Sequence, residues 1–478
     1  MTKPPSSEYA ADAPGASNDV PQRILGMWEA IALIVGIVIG AGIFKAPSMV
    51  AGMTGDPLWM FAAWLAGGLI SLAGALCYAE LATAYSHVGG DYHFLRRAYG
   101  SSVSFLFGWA RFSVITTGSI ALLAFVFGDY MVQVLPLSGS MQNAGASLYA
   151  AGAVIVLSWI NLRSTRSGTA TQTWLTAIEI LGLLLIVLAA LFADSAPANT
   201  SATPPSPAAA SLGLAMVFVL LTYGGWNEAA YISAELKDVR RDMVKALVWS
   251  IALITALYLL VTWAYWKGLG MHEMAASEAI AADLLGKAFG PTGAQGISLL
   301  VAMSALTSIN ATMIVGARSS YAIGRDWPQL AALGRWHGER DTPVNALRVQ
   351  CAAALLLVAV GSWTGSGFKS MVEFTAPVFW LFFLLSGISL FVLRVREPHT
   401  ERPFKVPLFP LLPLLFCAMC AYMLWSSLSY VYSQTLGGLN AAWIGVAVLA
   451  AGGVLLLLLH AHKARHERRR RAAVRSIS

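Results

Sequence analysis

The sequence predicts an all-α integral membrane protein of about twelve transmembrane helices, on three observations. Its 478 residues are 57% hydrophobic and only 12% charged, with a mean hydropathy of +0.65. An ordinary soluble domain carries about twice that charge fraction. Apolar runs of about 17–25 residues or more, long enough to cross a hydrocarbon layer about 30 Å thick, recur along the chain. The connections between these runs alternate between rich in Lys and Arg and nearly free of them.

The spans fall at about 27–52, 58–85, 103–135, 146–162, 170–193, 211–234, 244–268, 293–320, 346–364, 371–393, 407–430 and 439–461. One set of connections carries Arg96 and Arg97; Arg163 and Arg166; Lys237, Arg240, Arg241 and Lys245; Arg325, Arg335, Arg340 and Arg348; and Arg394, Arg396, Arg402 and Lys405. The other set, 52–57, 137–147, 194–211 and 432–439, is nearly without them. The positive-inside rule puts the basic set and both termini in the cytoplasm. Residues 1–22, polar and rich in Pro, Ser and Ala, read as a disordered cytoplasmic N-terminus without a signal peptide. Residues 463–478 read as a basic cytoplasmic tail. The Pro/Ala/Ser stretch 196–210 becomes an external loop, and 271–291 is long enough for short external helices. Residues 89–100 (GGDYHFLRRAYG) suggest a short amphipathic cytoplasmic helix, and 326–340 a longer cytoplasmic connection.

The net charge of +7 sits largely in these loops and the tail, so it implies no nucleic-acid partner. Cys77, Cys351, Cys417 and Cys420 all lie in apolar runs. Cys417-x-x-Cys420 has metal-like spacing but no partner His or Cys, so the thiols read as inert and no metal or cofactor is expected.

Two spans are interrupted. In residues 31–47 (IALIVGIVIGAGIFKAP) an apolar helix meets Gly40-Ala41-Gly42 at mid-depth. Gly has weak helix propensity and leaves the backbone unshielded. In lipid an unpaired backbone group costs several kcal/mol, so such a break needs protein, water or a solute to satisfy it. The second break is Thr222-Tyr223-Gly224-Gly225-Trp226-Asn227-Glu228, about five spans later. That offset gives the two halves opposite orientation. Paired interrupted spans in inverted halves point to a secondary-transporter binding site. Either break alone could serve only close packing.

At these residues the sequence resembles the amino acid–polyamine–organocation (APC) superfamily, and within it the L-type amino acid transporters and their bacterial relatives. The resemblance covers about 23–396. It is carried by IGAGIF (39–44), YAEL (78–81) with GGDY (89–92), YGGWN (223–227), AELKDVRRDM (234–243) and SALTSINATMIVGAR (304–318) with Tyr321 and Arg325-Asp326. It implies a LeuT-type fold: an inverted-repeat core at 23–396, with repeats at about 23–195 and 205–396, and peripheral helices at 397–462. It also implies alternating access for amino acids in a bacterial plasma membrane. Some eukaryotic relatives pair with a glycoprotein through an external Cys; no Cys here lies in an external loop.

An amino acid zwitterion needs donors for its carboxylate and acceptors for its ammonium. The half-helix starting near Gly42 offers free N–H groups and a positive dipole end. The amides of Ala41, Gly42 and Ile43 are therefore expected on the carboxylate, beside Gly40. The carbonyls of residues 37–39, Ile39 among them, and of Leu221, Thr222 and Tyr223 are expected on the ammonium. Gly224, Asn227, Ile115, Thr116, Ser119 and Asn310 are expected to choose the side chain. Trp226 reads as a gate or a packing wall. The first break holds no acid, which favours neutral substrates. Glu228 beside the second break leaves a polyamine or cationic amino acid exchanger open, and a non-transporting sensor of the same fold is a further alternative.

Three intramembrane charges stand out. Many L-type relatives carry Lys where this chain has Glu179 in its fifth span. A buried carboxyl there suits proton coupling, with a structural hydrogen bond as the alternative. Lys45 and Glu373 are expected as an outer gate; the competing reading snorkels Lys45 outward and pairs Glu373 with Lys369. At Leu221 larger relatives carry Phe, so the lid here is smaller. Glu80, Arg241 and Glu235 read as an inner-gate or structural network at cytoplasmic span ends. An enzyme would need clustered metal ligands or a nucleophile with its base, and a primary pump a phosphate-cradling loop; the sequence has neither pattern.

Overall fold

The structure is a computed structural model that describes residues 26–87, 89–138, 141, 144–163, 169–192, 209–233, 236–327, 330–335, 343–365, 367–433 and 441–475. The expected N-terminal segment 1–22, most of the connection 196–210, and Arg166, Glu235 and Arg340 lie outside the described residues. The described part is helical, without a β-strand.

In order, α1 (Met27–Val38) leads through a 3-10 turn (Ala41–Phe44) into α2 (Ala46–Thr54), followed by α3 (Pro57–Ala84) and α4 (Gly90–Tyr99). Next come α5 (Ser101–Ala110), a π-segment (Arg111–Thr116), α6 (Thr117–Val134), α7 (Gly145–Arg163) and α8 (Thr169–Phe192). The second half opens with α9 (Ala209–Thr222), a 3-10 turn (Trp226–Glu228) and α10 (Ala229–Ile232). It continues with α11 (Val239–Ala276), α12 (Ile280–Asp326), α13 (Val344–Thr364), α14 (Gly367–Arg396), α15 (Leu411–Ser433) and α16 (Ala441–Arg475).

Among the described residues nine helices are long and apolar enough to cross a membrane. Three shorter apolar stretches, Met27–Val38, Glu179–Phe192 and Ser211–Thr222, take the remaining expected positions. Two of those three are the leading halves of the interrupted spans. The chain is an integral membrane protein of the all-α class.

Local chemistry sets the element ends. Asp56 caps α3 by accepting from the amides of Leu58 and Trp59, with Pro57 in its first turn, where a missing N–H costs nothing. Asp238 caps α11 through the Arg241 amide. Gly270 and Gly290, both at positive φ, break α11 and α12 where short external helices were expected. The GGDY stretch forms α4, as expected.

The core packs α12 on α6, α11 on α3, and α14 on α15. Both halves of the first interrupted span lie against α11, and α2 lies against α9. Tyr78, Tyr223 and Tyr258 are wholly buried, and their hydroxyls find partners inside. The Tyr223 hydroxyl donates to the Trp64 carbonyl at 3.0 Å, and the Tyr130 hydroxyl to the Phe44 carbonyl at 2.6 Å. Such bonds are worth about 0.5–1.5 kcal/mol each when made, and cost more when left unmade.

Candidate substrate site

The two breaks meet. A Cβ on Gly42 would lie 3.5 Å from Thr222 Cγ2, and one on Gly225 would lie 3.0 Å from Ile37 Cγ2. Gly225 sits at φ +112°, a conformation that disfavours any side chain. Helix α1 ends at Val38, and the chain bends at Ile39 and Gly40 before the 3-10 turn restarts at Ala41. The first N–H groups of that turn, at Ala41, Gly42 and Ile43, have no acceptor within it. Across the gap, α9 ends at Thr222, where the Leu221 carbonyl accepts the Gly224 amide at 3.0 Å and keeps one lone pair open.

Tyr258 of α11 ties the breaks together. Its buried hydroxyl lies 2.9 Å from the Val38 carbonyl and 3.1 Å from the Thr222 carbonyl. One hydroxyl proton cannot fully serve two carbonyls, so residual acceptor capacity remains at the helix ends. Tyr258 escapes sequence reasoning, because one Tyr in a long apolar run carries no positional signal.

The expected selectivity residues divide. Ile115 and Thr116 fall in the π-segment, which interrupts the third span at this depth. Such one-turn π insertions recur at functional sites. Ser119 spends its proton on the Ile115 carbonyl at 2.8 Å. Asn227 is buried, and Leu221 is half-buried. Asn310 accepts from Asn161 Nδ2 at 2.6 Å, which ties α12 to α7. The Tyr223 side chain points to Trp64, so only its backbone can serve the break. The Gly224 and Leu221 backbones bond each other at 3.0 Å. Trp226 is buried edge-on to Tyr78 at 5.2 Å and Phe383 at 5.6 Å, in the position of a packing wall.

The charges pair differently from the expected outer gate. Lys45, 1% exposed, is not bound to Glu373. Its ammonium lies 2.9 Å from Asp129 Oδ2 of α6 and also contacts the carboxylate and the carbonyl of Glu278. Glu373 lies 3.9 Å from Lys369, one turn back on α14. Asp129 is 17% exposed and Glu278 75%. The loop before α12 is thus held to the restarted half of the first span. Sequence spacing could not find these partners, which sit on other elements.

Glu179 is buried and accepts from Ser304 Oγ at 2.5 Å; its other oxygen has no hydrogen-bond partner. One turn on from Ser304, Ser308 is the nearest side chain to Gly40, its Oγ 3.8 Å from where a Cβ would stand. Glu228 faces Arg111, whose Nη2 lies 3.2 Å from both carboxylate oxygens. At the basic face Glu80 receives Arg394 Nε at 2.7 Å and Nη2 at 2.5 Å, and the Val406 amide at 2.7 Å. Arg97 donates from Nε to Glu397 at 2.8 Å, and that bond holds the Glu397 carboxyl below its usual range.

Among the described residues no cluster of three metal-ligating side chains occurs. The model of the amino acid permease family matches residues 25–450. The chain is 30% identical over 430 residues to the mouse large neutral amino acids transporter small subunit 2, covering 88% of this chain and 80% of that protein. It is 30% identical to the human b(0,+)-type amino acid transporter 1, covering 84% and 82%. With the human Asc-type amino acid transporter 1 it shares 27% identity over 93% and 84%.

Proposed function

Because this chain belongs to the amino acid permease family, we propose that it is a secondary transporter carrying neutral L-amino acids by alternating access. The observation that carries this reading is the meeting of the two breaks. Free amides at Ala41, Gly42 and Ile43 lie across a narrow gap from carbonyls near Ile39 and Leu221–Tyr223, which keep residual acceptor capacity beside the bonds they already accept. Helix N-terminal amides suit a carboxylate, and open carbonyls suit an ammonium. The first break holds no acid, and the acid beside the second, Glu228, is already balanced by Arg111. A pocket without uncompensated charge favours a zwitterion over a polyamine.

The proposal extends to topology. The basic face is cytoplasmic, with both termini on it, in a bacterial plasma membrane. Residues 23–195 and 205–396 act as the inverted repeats, and 397–462 as peripheral helices. Glu179 carries the coupling proton. In support, its carboxyl is buried and bonded on one side only, by Ser304, and Ser308, one turn on from Ser304 along α12, lies beside the first break at Gly40.

The test is uptake into proteoliposomes of the twenty amino acids and polyamines, with and without internal amino acid, sodium and a pH gradient. Neutral amino acids should accumulate, and an inward proton gradient should drive them. Glu179→Gln should abolish the proton dependence while exchange continues. Preference for polyamines would sink the substrate assignment, and unchanged proton dependence in Glu179→Gln would sink the coupling assignment.

A further inference from the structure

Arg111 and Glu228 lie beside the candidate site and are not part of it. Arg111 is the first residue of the π-segment, about one turn before Ile115 and Thr116. Glu228 ends the 3-10 turn directly after Asn227. Arg111 Nη2 is 3.2 Å from both Glu228 oxygens, and the two side chains are 12% and 30% exposed. Both are displaced from the breaks in one direction. The third span rises from the basic face, so Arg111 is nearer that face than Thr116. The second interrupted span runs toward it, so Glu228 is nearer than Thr222.

A third carboxylate backs the pair. Asp91, buried on α4, feels the charges of both Arg111 and Glu228. Hydroxyls of Tyr78 and Ser386 hold one of its oxygens at 2.5 Å and 3.0 Å. Tyr78 belongs to the YAEL stretch and Asp91 to GGDY, so two motifs that the first site leaves unused converge here.

We propose that Arg111 and Glu228 form a second, transient site for the zwitterionic head group of an amino acid, on the cytoplasmic side of the first. This rests on the permease reading and its assignment of the basic face to the cytoplasm. A zwitterion leaving the breaks gives up helix-end partners for both of its charges. In a half-buried passage neither charge can go uncompensated. The pair offers one ion of each sign at the right depth. Its guanidinium is planar and suits a carboxylate in two-point contact. Glu228 takes the ammonium in turn. The intact pair then opens into guanidinium–carboxylate and ammonium–carboxylate contacts, with every ion still partnered. Asp91 stands beside Arg111 while Glu228 is engaged; burial pushes its carboxyl above the usual carboxylate range, and the Tyr78 hydroxyl, Arg111 and Ser386 work against that rise. A ligand with only one charge breaks the pair and satisfies half of it, so the site favours zwitterions.

The test uses the full-length chain in proteoliposomes sorted by orientation, with radiolabelled L-leucine and L-alanine offered at each face. Arg111→Gln and Glu228→Gln should raise the half-saturating concentration at the cytoplasmic face about tenfold, while the external face moves less than about twofold. Leucine methyl ester, which lacks the carboxylate, should compete poorly at the cytoplasmic face of the wild type, and its disadvantage relative to leucine there should narrow about tenfold in Arg111→Gln. Arg111→Lys keeps the charge and gives up two-point binding, so it should shift the cytoplasmic face severalfold; it serves if Arg111→Gln does not fold. Equal shifts at both faces, no shift at either, or full recovery in the double variant R111E/E228R would reduce the pair to a tie between spans and overturn the second site alone. Failure of the wild type to move any amino acid would overturn the permease reading itself.

Discussion

Replacing Lys45 by Met keeps its length and apolar stem and removes only the ammonium. The variant leaves Asp129, 17% exposed, without its cation at 2.9 Å. Removing one partner of a buried ion pair costs about 3–5 kcal/mol, because the remaining charge is stranded. Asp129→Asn should cost about as much, since Lys45 is 1% exposed and keeps only Glu278. Glu278→Gln should cost about 0–1 kcal/mol despite its close contact, because that side chain is 75% exposed and water screens it. In the double variant Lys45→Met with Asp129→Asn no charge is stranded, so the two costs should fall short of additivity by about 2 kcal/mol. The assay is denaturant unfolding in detergent micelles across the four proteins of that cycle, with Glu278→Gln beside it. A cost below about 1 kcal/mol for Lys45→Met, or equal costs for Glu278→Gln and Asp129→Asn, would refute the argument from burial. Retained stability in the Lys45 variant, combined with an effect of Glu373→Gln only in the presence of Lys45, would restore the outer gate expected from sequence.

Gly225→Ala should cost about 1–3 kcal/mol and suppress uptake, because its φ is +112° and the new Cβ meets Ile37; Gly55→Ala, at φ +65° with open space around it, should lose about 1 kcal/mol and keep uptake. Tyr258→Phe strips two carbonyls of their shared donor and should destabilise by about 1–3 kcal/mol while changing leucine affinity, read by thermal melting and uptake. Burial and the neighbouring His87, with Arg97 and Arg96 nearby, lower the His93 pKa from 6.5 to about 4. The unfolded chain therefore takes up a proton on this residue first as pH falls. Its contribution to stability is whole above pH 6.5 and is lost between 6.5 and about 4, and His93→Gln should flatten the pH dependence of melting in that window.

The spans and both breaks were legible because hydropathy and Gly are local signals. Residues 27–52 and 211–234 correspond to interrupted helices that start and stop within a few residues of expectation. Helix rotation was not legible. Lys45 sits in a span whose apolar residues run all round, and such a helix carries no face from which to read its partner. Asp129 and Glu278 are on separate elements, and only packing brings them together. Arg111 was hidden for a related reason: it lies near the basic end of the third span, where a positive charge is expected in any case. The π-segment that begins at Arg111 leaves no pattern in RFSVIT to separate it from ordinary helix.

These unread contacts share a location. Tyr258, Lys45 and Arg111 each hold a broken helix to an intact one, through its backbone, its outer end and its inner end respectively. An interrupted span has weak internal hydrogen bonding at the break, so its two halves can tilt independently unless outside groups fix them. On the proposed topology the Lys45 cluster restrains the half toward the external side, and Arg111 with Glu228 restrains the half toward the cytoplasm. A carrier that opens alternately must release these restraints one at a time. The more exposed partner in each set, Glu278 at 75% and Glu228 at 30%, is the one that water can solvate on release. The less exposed members, Lys45 with Asp129 and Arg111 near Asp91, stay together throughout. Glu278→Gln should accordingly bias the protein toward external opening, and Glu228→Gln toward cytoplasmic opening. Thiol accessibility on each face, measured with single cysteines in both variants, would contradict this division if both substitutions opened the same side.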